Sequence, residues 1–399
     1  MMATPTPNTL LPLLPTELYL KNTPAVSAIN FFDIHSKASS SAVVDHLQSR
    51  LDAIGIANPW LSGRLVATAG GSVSLDYSAP TRLVLDQVSL PHLEPNMPYD
   101  ALLAAVEPFK VDRGAELLAS ASSPPLFRVV WISISPTSAA LYISLSHMVG
   151  DGYTYYRLCE MLGEAAAVMA LTPARVADFV ALVRADNDTM ALHRSVSMLC
   201  NMATTVLVSA APTTSVHTIS AEWVASEKAN AASSFVSTND VITSWFFRKC
   251  HADVGFMVRN MRGRLPRITH DLAGNYGSIV GYQPPDFATP DDIRASIAPG
   301  RRVHSGPFPY MFTKTTAMIT SWASLYRPVT LATWCTNVAH FPCATASHIA
   351  PYTNTAVVFR KTKESLGVIM RTRTVDTDTV DPAWAPSTTK TMPSVAASS

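Results

Sequence analysis

Two apolar runs, residues 126–134 and 139–145, alternate their side chains with period two and are separated only by Ser135-Pro-Thr-Ser138. The pattern predicts a β-hairpin of two buried strands. The second strand runs out at His147, with Asp151 four residues on and Gly152 directly after it, and from Tyr153 to about Met169 the apolar spacing turns helical. A histidine therefore stands at the mouth of a buried strand, on a tight turn. The strand end is rigid and the loop beyond it is exposed, so a base held there is both fixed and reachable. Asp-Gly is also a common turn pair. On these positions alone, a turn that happens to contain His and Asp and a catalytic loop are equally open.

The whole chain narrows the classes. Its 399 residues exceed one ordinary core and predict two domains, and 48% hydrophobic residues supply ample apolar surface to bury. Lys and Arg total 30 against 29 Asp and Glu, which argues against nucleic acid or an anionic membrane as the main partner. The five cysteines are odd in number and scattered, with no Cys-x-x-Cys, as in a reduced, cytoplasmic chain. No basic residue precedes the apolar cluster 10–14, and Pro12 breaks it, so a signal peptide is not expected. Residues 198–211 fall short of the roughly 20 that a spanning helix needs. They read as a buried connection, with a peripheral contact to a membrane or a lipidic substrate as the alternative. There is no phosphate loop and no Gly-x-Ser-x-Gly elbow, and Gly150-x-Gly152 fails as a dinucleotide fingerprint because position 155 is Tyr. No metal site is expected: His340 and His348 are the nearest approach to a ligand pair, at poor spacing.

In order along the chain, residues 1–15 read as a poorly ordered arm and 30–33 as a short strand. Val43, Val44, Leu47, Leu51 and Ile54 recur at helical spacing, with short strands following at 65–67 and 73–77. Residues 170–215 lack a strong period and read as a crossover between domains. The second half restarts with a strand at 217–224, then Ser237-Thr-Asn239 caps a helix over 241–251. The tail from about Thr374 is rich in Thr, Pro, Ala and Ser, a composition that stays disordered.

His147-x-x-x-Asp151-Gly152 resembles the signature of coenzyme-A-dependent acyltransferases: the plant-type BAHD family, the chloramphenicol acetyltransferases and peptide-synthetase condensation domains. Other segments share the resemblance in order. Pro59-Trp-Leu-Ser-Gly63-Arg64-Leu65 follows the first helix, and Pro124-Pro-Leu-Phe127 precedes the hairpin. Asn260-Met-Arg262-Gly-Arg264-Leu-Pro266, then Gly274-Asn275, is similar to the BAHD Asp-x-Arg-x-Arg-x-x-Pro and Gly-Asn, with Asn260 for Asp and the proline one residue early. Ile319-Thr320-Ser321-Trp322 resembles the segment lining the acceptor pocket. Ile242-Thr-Ser-Trp245 spells the same letters, and position favours the later copy. Of the family's Asp-Phe-Gly-Trp-Gly only Trp334 remains, within Leu331-Ala-Thr-Trp-Cys335. That departure bears on domain packing more than on chemistry.

The resemblance implies an α/β, two-domain chloramphenicol acetyltransferase-like fold with mixed sheets and flanking helices. The domains would be 1–170 and 217–373, with a crossover over 171–216, a tail over 374–399 and the active site in a channel between the domains. It implies a monomeric enzyme that moves an acyl group from acyl-CoA, a co-substrate rather than a bound cofactor, to a hydroxyl or amine of a small acceptor. A neutral histidine suits the base, its ordinary pKa of about 6.5 lying near working pH. His147 takes that role, with direct attack on the thioester and no acyl-enzyme. Asp151 would point away from the reacting atoms and pair with Arg262 or Arg264, and Gly152 would permit the turn. The Thr320 hydroxyl would donate to the oxyanion, and Trp322 and Asn275 would meet substrate. Two alternatives stand beside this one: a condensation-like domain fed by a carrier protein through a basic docking patch, and a non-catalytic scaffold on the same fold.

Overall fold

The computed structural model describes residues 8–35, 40–79, 81–184, 188–344, 352–375 and 381–385. In its first half the elements are β1 (Thr9–Pro12), β2 (Val26–Ile34), α1 (Ser40–Ala57), β3 (Arg64–Ala67), β4 (Val73–Tyr77), β5 (Leu85–Ser89), α2 (Tyr99–Val106), α3 (Gly114–Ala119), β6 (Phe127–Ser135), β7 (Ser138–Leu145) and α4 (Gly152–Glu160). The second half holds α5 (Phe179–Arg184), α6 (Thr189–His193), α7 (Val196–Val208), β8 (Thr213–Thr218), α8 (Ala221–Ala229), α9 (Thr238–Lys249), β9 (Val254–Asn260), β10 (Gly277–Tyr282), α10 (Pro290–Ile297), β11 (Thr316–Ser321), β12 (Cys335–Pro342), β13 (Asn354–Arg360) and β14 (Leu366–Thr372).

The hairpin β6–β7 is antiparallel in register, Phe127 opposite Leu145, with an irregularity between Ser133 and Ser135 at the turn end. From Ala139 to Leu145 the side chains of β7 are buried on both faces. That suits a strand covered by α1 on one side and by a second sheet on the other. Val43, Leu47, Leu51 and Ile54 of α1 are buried in the cluster that also takes Ile143 and Leu145. Each such aliphatic side chain contributes about 1.5–3 kcal/mol relative to exposure.

Two mixed sheets and one small antiparallel sheet result, with flanking helices. The five-stranded sheet runs β12-β2-β7-β6-β5, the six-stranded sheet β10-β9-β11-β13-β14-β8, and β1-β4-β3 form a small third sheet. The strand β12, from the second half of the chain, pairs antiparallel with β2 and so ties the halves together by backbone hydrogen bonds. A shared apolar cluster seals them: Ile29, Phe31, Tyr142 and Phe341 from one sheet meet Val357, Phe359 and Ile369 from the other.

Several sequence expectations need correction. The helix after the motif ends at Glu160, not near Met169. Arg50 of α1 takes the carbonyls of Met161 (2.8 Å) and Ala166, and Glu164 N–H donates to Thr330 O (2.9 Å). Those tertiary bonds replace the next helical turns. The strand expected at 217–224 runs from Thr213 to Thr218. Ser220 then caps α8, accepting from Trp223 N–H (3.1 Å). The crossover contains the helices α5, α6 and α7. Of the arm, residues 1–7 lie outside the described residues, but Thr9–Pro12 pair with β4 as an edge strand. His348 and residues 376–380 and 386–399 of the expected tail also lie outside the described residues.

Candidate active site

His147 leaves the end of β7 with its backbone already occupied. Ser146 N–H donates to Leu126 O (2.8 Å), and the Asn275 side-chain amide donates to His147 O (2.8 Å). The same amide nitrogen donates to Glu17 (3.0 Å), so only Asn275 Oδ1 is left to accept from the ring, at 3.1 Å from His147 Nδ1. An amide oxygen accepts only, and the proton of a neutral His147 therefore sits on Nδ1, with the lone pair on Nε2. Burial holds the imidazole below its ordinary pKa. The ring's contact with its own backbone carbonyl, Asp151, Asn275 and Glu17 pull upward without overcoming it. The ring is neutral at neutral pH.

Asp151 caps α4, its carboxylate accepting from Thr154 N–H (3.0 Å) and the Thr154 hydroxyl (3.2 Å). Its other oxygen accepts from Arg262 Nη1 (2.8 Å) and Tyr276 N–H (3.1 Å). Burial pushes this carboxyl up, but the Arg262 charge and these hydrogen bonds outweigh burial and hold it below its ordinary value. Arg262 is fully enclosed: its guanidinium lies between the rings of Tyr153 and Tyr276 and donates to the carbonyls of Leu272 and Gly274 (both 2.9 Å). Arg264, the other expected partner, is exposed and has no ion pair among the described residues. The difference is register: Arg262 follows β9 directly inward, and the turn at Gly263, with φ of 73°, sends the chain outward after it.

A second ion pair lies behind Asn275, and no local pattern in the chain announces it. Glu17, just past the arm expected to be poorly ordered, accepts from Arg175 Nε (3.0 Å), Leu14 N–H (2.8 Å) and Asn275 N–H (3.1 Å). Arg175, in the aperiodic crossover, also donates to Pro173 O (2.7 Å), Ala273 O (3.1 Å) and Val149 O (3.2 Å). Gly274, with φ of 123°, passes beneath it; a Cβ there would meet the Arg175 guanidinium carbon at 2.8 Å.

The expected substrate residues divide. Thr320, at the end of β11, and Trp322 line the same cleft as His147, a space of about 770 Å³. Trp322 is held by its N–H to Val358 O (2.8 Å) and by edge contact with Tyr156 (6.1 Å). Asn275 does not line the cleft: it is buried behind His147 with its side-chain amide and its N–H bonded to protein. Gly152 also needs a different explanation. It opens α4 at a φ outside the left-handed region, and a Cβ there would sit 3.5 Å from Leu325 and 3.8 Å from Trp322. The glycine keeps the cleft wide beside Trp322; the turn does not demand it. The other copy of the four letters, 242–245, is buried within α9 and its core. Trp334 packs on His46 of α1 (4.9 Å), in the first core cluster.

The cleft is positive. Arg259, Arg262, Arg264, Arg294 and Arg327 line it, and its two acids are spent on Arg262 (Asp151) and Arg294 (Asp240). No cysteine lines it. Burial raises the thiol pKa of Cys159, Cys250 and Cys343, and that of Cys335 to about 11. Among the described residues no group of three or more His, Cys, Asp or Glu could hold a metal ion, and no helix is long and apolar enough to cross a membrane. His340 is a core residue, bonded to Tyr156 (2.9 Å) and Asn30 (3.0 Å), its pKa lowered by burial to about 3.

No family model matches the sequence, and no curated protein matches it. Solved structures do match in fold. The first condensation domain of the CDA synthetase superposes with a TM-score of 0.58 at 13% identity, over 91% of this chain and 90% of that one. TRI101 of F. graminearum, complexed with coenzyme A and T-2 mycotoxin, gives 0.60 at 11% identity, over 92% and 95%. Polyketide synthase associated protein 5 from Mycobacterium tuberculosis gives 0.58 at 13%, over 92% and 94%. The chain has the two-domain α/β, chloramphenicol acetyltransferase-like fold, shared with that condensation domain and with coenzyme-A-bound TRI101.

Proposed function

We propose that this protein is an acyltransferase that moves an acyl group from acyl-CoA to a hydroxyl or amine of a small acceptor, with His147 as general base. The observation that carries the reading is the Asn275 hydrogen bond, which commits Nδ1 and leaves the Nε2 lone pair for the cleft shared with Thr320 and Trp322. Nε2 takes the acceptor proton as the acceptor oxygen or nitrogen attacks the thioester carbonyl. The oxyanion formed accepts from the Thr320 hydroxyl, a donor worth about 3 kcal/mol. Collapse breaks the C–S bond, and the imidazolium returns the proton to the departing thiolate. No cysteine in the cleft stands ready to carry the acyl group, which favours direct attack over a covalent intermediate.

The donor's phosphates suit the arginines. Arg259 is nearly buried and Arg264 exposed, so the positive charge runs into the cleft rather than forming only an outer docking patch. That favours a small anionic donor over a carrier protein. The test is thiol release over a panel of acyl-CoAs and acceptors, with acyl-carrier proteins in parallel. His147→Ala should lower the rate by about 10²–10⁴ with the fold intact by circular dichroism. Wild-type rates in that variant would remove His147 from the chemistry, and turnover with carrier-bound donors alone would replace the CoA reading.

A further inference from the structure

The helix α7 is amphipathic with its polarity inverted. Its inward side carries Ser197, Asn201 and Thr205 beside Met198, all buried. The Asn201 side chain donates to Lys314 O (3.0 Å) and accepts from Lys314 N–H (2.8 Å), so the polar face is committed to the protein. Outward lie Val196 (75% exposed), Leu207 (81%) and Val208 (77%), with Leu199 and Val206 also exposed. A helix that merely connected two domains would bury these aliphatic side chains and leave its amide and hydroxyls in water.

The surroundings enlarge the apolar face and set positive charge at its ends. The loop that receives Asn201 exposes Tyr310 and Phe312 on either side of Met311, which is buried in one cluster with Met198. Arg194 is exposed just before the N-terminal end of α7. At the other end Arg373 donates to the carbonyls of Ser209 and Ala210, with Arg371 near enough to feel its charge. From Arg194 to Glu222 the sequence has no intervening Asp, Glu, Lys or Arg. Asp253, an acid bonded to the neighbouring loop, is paired with Lys314 (3.1 Å).

We infer that α7 is a membrane-surface helix. It lies in the plane of a bilayer containing anionic lipid, its apolar face among the acyl chains and Arg194 and Arg373 at the headgroups. Its 13 residues make about 20 Å of helix, too short for a hydrocarbon core of about 30 Å. An apolar face edged by Tyr, Phe and Arg is the composition of a helix that lies on a membrane rather than through it. A second copy of this chain is the poorer occupant, because a symmetric pairing would bring the same arginines against each other. Residues 1–7 and 386–399 are mostly Thr, Ser, Pro and Ala, with few large apolar side chains to cover the face. The helix also adjoins the cleft: Met318 of β11 packs in its cluster, and Thr320 lies two residues on, along the same face of the strand. A bilayer-bound protein would hold its cleft close to the lipid.

The test uses the full chain with vesicles of phosphatidylcholine alone and of phosphatidylcholine with phosphatidylglycerol. Among the cysteines only Cys200, on α7, is exposed, so an environment-sensitive fluorophore attached there reports insertion. The expected result is co-flotation with the anionic vesicles and a blue shift of the label, both weakened by salt. Leu199→Glu combined with Leu207→Glu should lower binding roughly tenfold or more, and Arg194→Glu roughly fivefold or more. Melting curves of these surface variants should match wild type. The inference is overturned if neither vesicle binds the protein, or if binding ignores the two glutamates. It is equally overturned if the double variant dissolves a concentration-dependent dimer while vesicles take up no protein.

Discussion

His147 stands between two arginine–carboxylate pairs of the same chemistry and unequal setting. Asp151–Arg262 braces the turn directly: its carboxylate caps α4, borders the cleft and remains 18% exposed. Glu17–Arg175 is dry, with the Glu17 side chain 0% exposed, and it reaches the ring only through Asn275. Both pairs grip residues 273–275, Arg262 at the Gly274 carbonyl, Arg175 at Ala273 and Glu17 at the Asn275 N–H. The comparison shows that nearness in sequence misleads about roles. The carboxylate four residues from the histidine has both oxygens occupied by an arginine and a helix start, while one far back in the chain orients the ring through a relay amide.

The largest expected effect comes from Glu17→Gln. The new amide nitrogen must face Arg175 Nε, Leu14 N–H or the Asn275 donors, so a buried arginine loses its anion and gains a like donor. Thermal denaturation should show a loss of about 3–5 kcal/mol. A loss under about 1 kcal/mol would mean that the dry pair contributes little. Asp151→Asn should cost less, about 2–3 kcal/mol, because its site is partly wet and its backbone donors persist. Because the pairs share residues 273–275, the double variant Glu17→Gln/Asp151→Asn should depart from additivity by about 0.5 kcal/mol or more; strict additivity would separate the two clamps.

A pH profile sharpens the contrast. Asp151 and Glu17 both raise the His147 pKa, Asp151 more strongly. Below the ring's pKa the base is protonated and the rate falls, so the acid limb of kcat/KM marks that pKa. Both variants should move the limb to lower pH, Asp151→Asn further than Glu17→Gln, and an unmoved limb would make Glu17 purely a packing residue. For Asp151 the stability term has a definite sign. Its folded pKa is lowered, so its contribution is present above the ordinary carboxylate range and lost as pH falls through the folded value. Asp151→Asn should flatten that acid loss in a series of melts. The smallest effect belongs to Arg264→Leu: stability within about 0.5 kcal/mol of wild type, with a raised KM for acyl-CoA. A large stability loss there would contradict the pairing of Asp151 with Arg262 alone.

Much of this arrangement was readable residue by residue. The hairpin delivering His147, the helix α1 and the helix after Ser237 follow from period-two and three-to-four spacing, since local periodicity reports which face is buried. Arg262, Gly274 and Thr320 came from order and spacing along the resemblance. Asn275 came from the same motif, but its job did not, because a motif names a residue without saying which way it points. Glu17 and Arg175 had no local signal at all, one lying just past a Thr- and Pro-rich arm and the other in an aperiodic stretch. The exposed apolar face of α7 was only half readable, as a buried connection with a membrane contact for its alternative. Its sequence looks like burial, and only packing reveals that the polar side went inward.

The sequence by itself determined the hairpin β6–β7, the helix α1, the histidine at a strand end, and the carboxylate and glycine behind it. Those features depend on local backbone preference and on the alternation of apolar side chains. Tertiary structure decided which arginine takes Asp151, which carboxylate sits behind the ring, and which nitrogen of His147 keeps its lone pair. Each of those outcomes depends on groups more than a hundred residues apart meeting in a dry interior. There an unpaired charge costs several kcal/mol, so the fold must satisfy every donor at once.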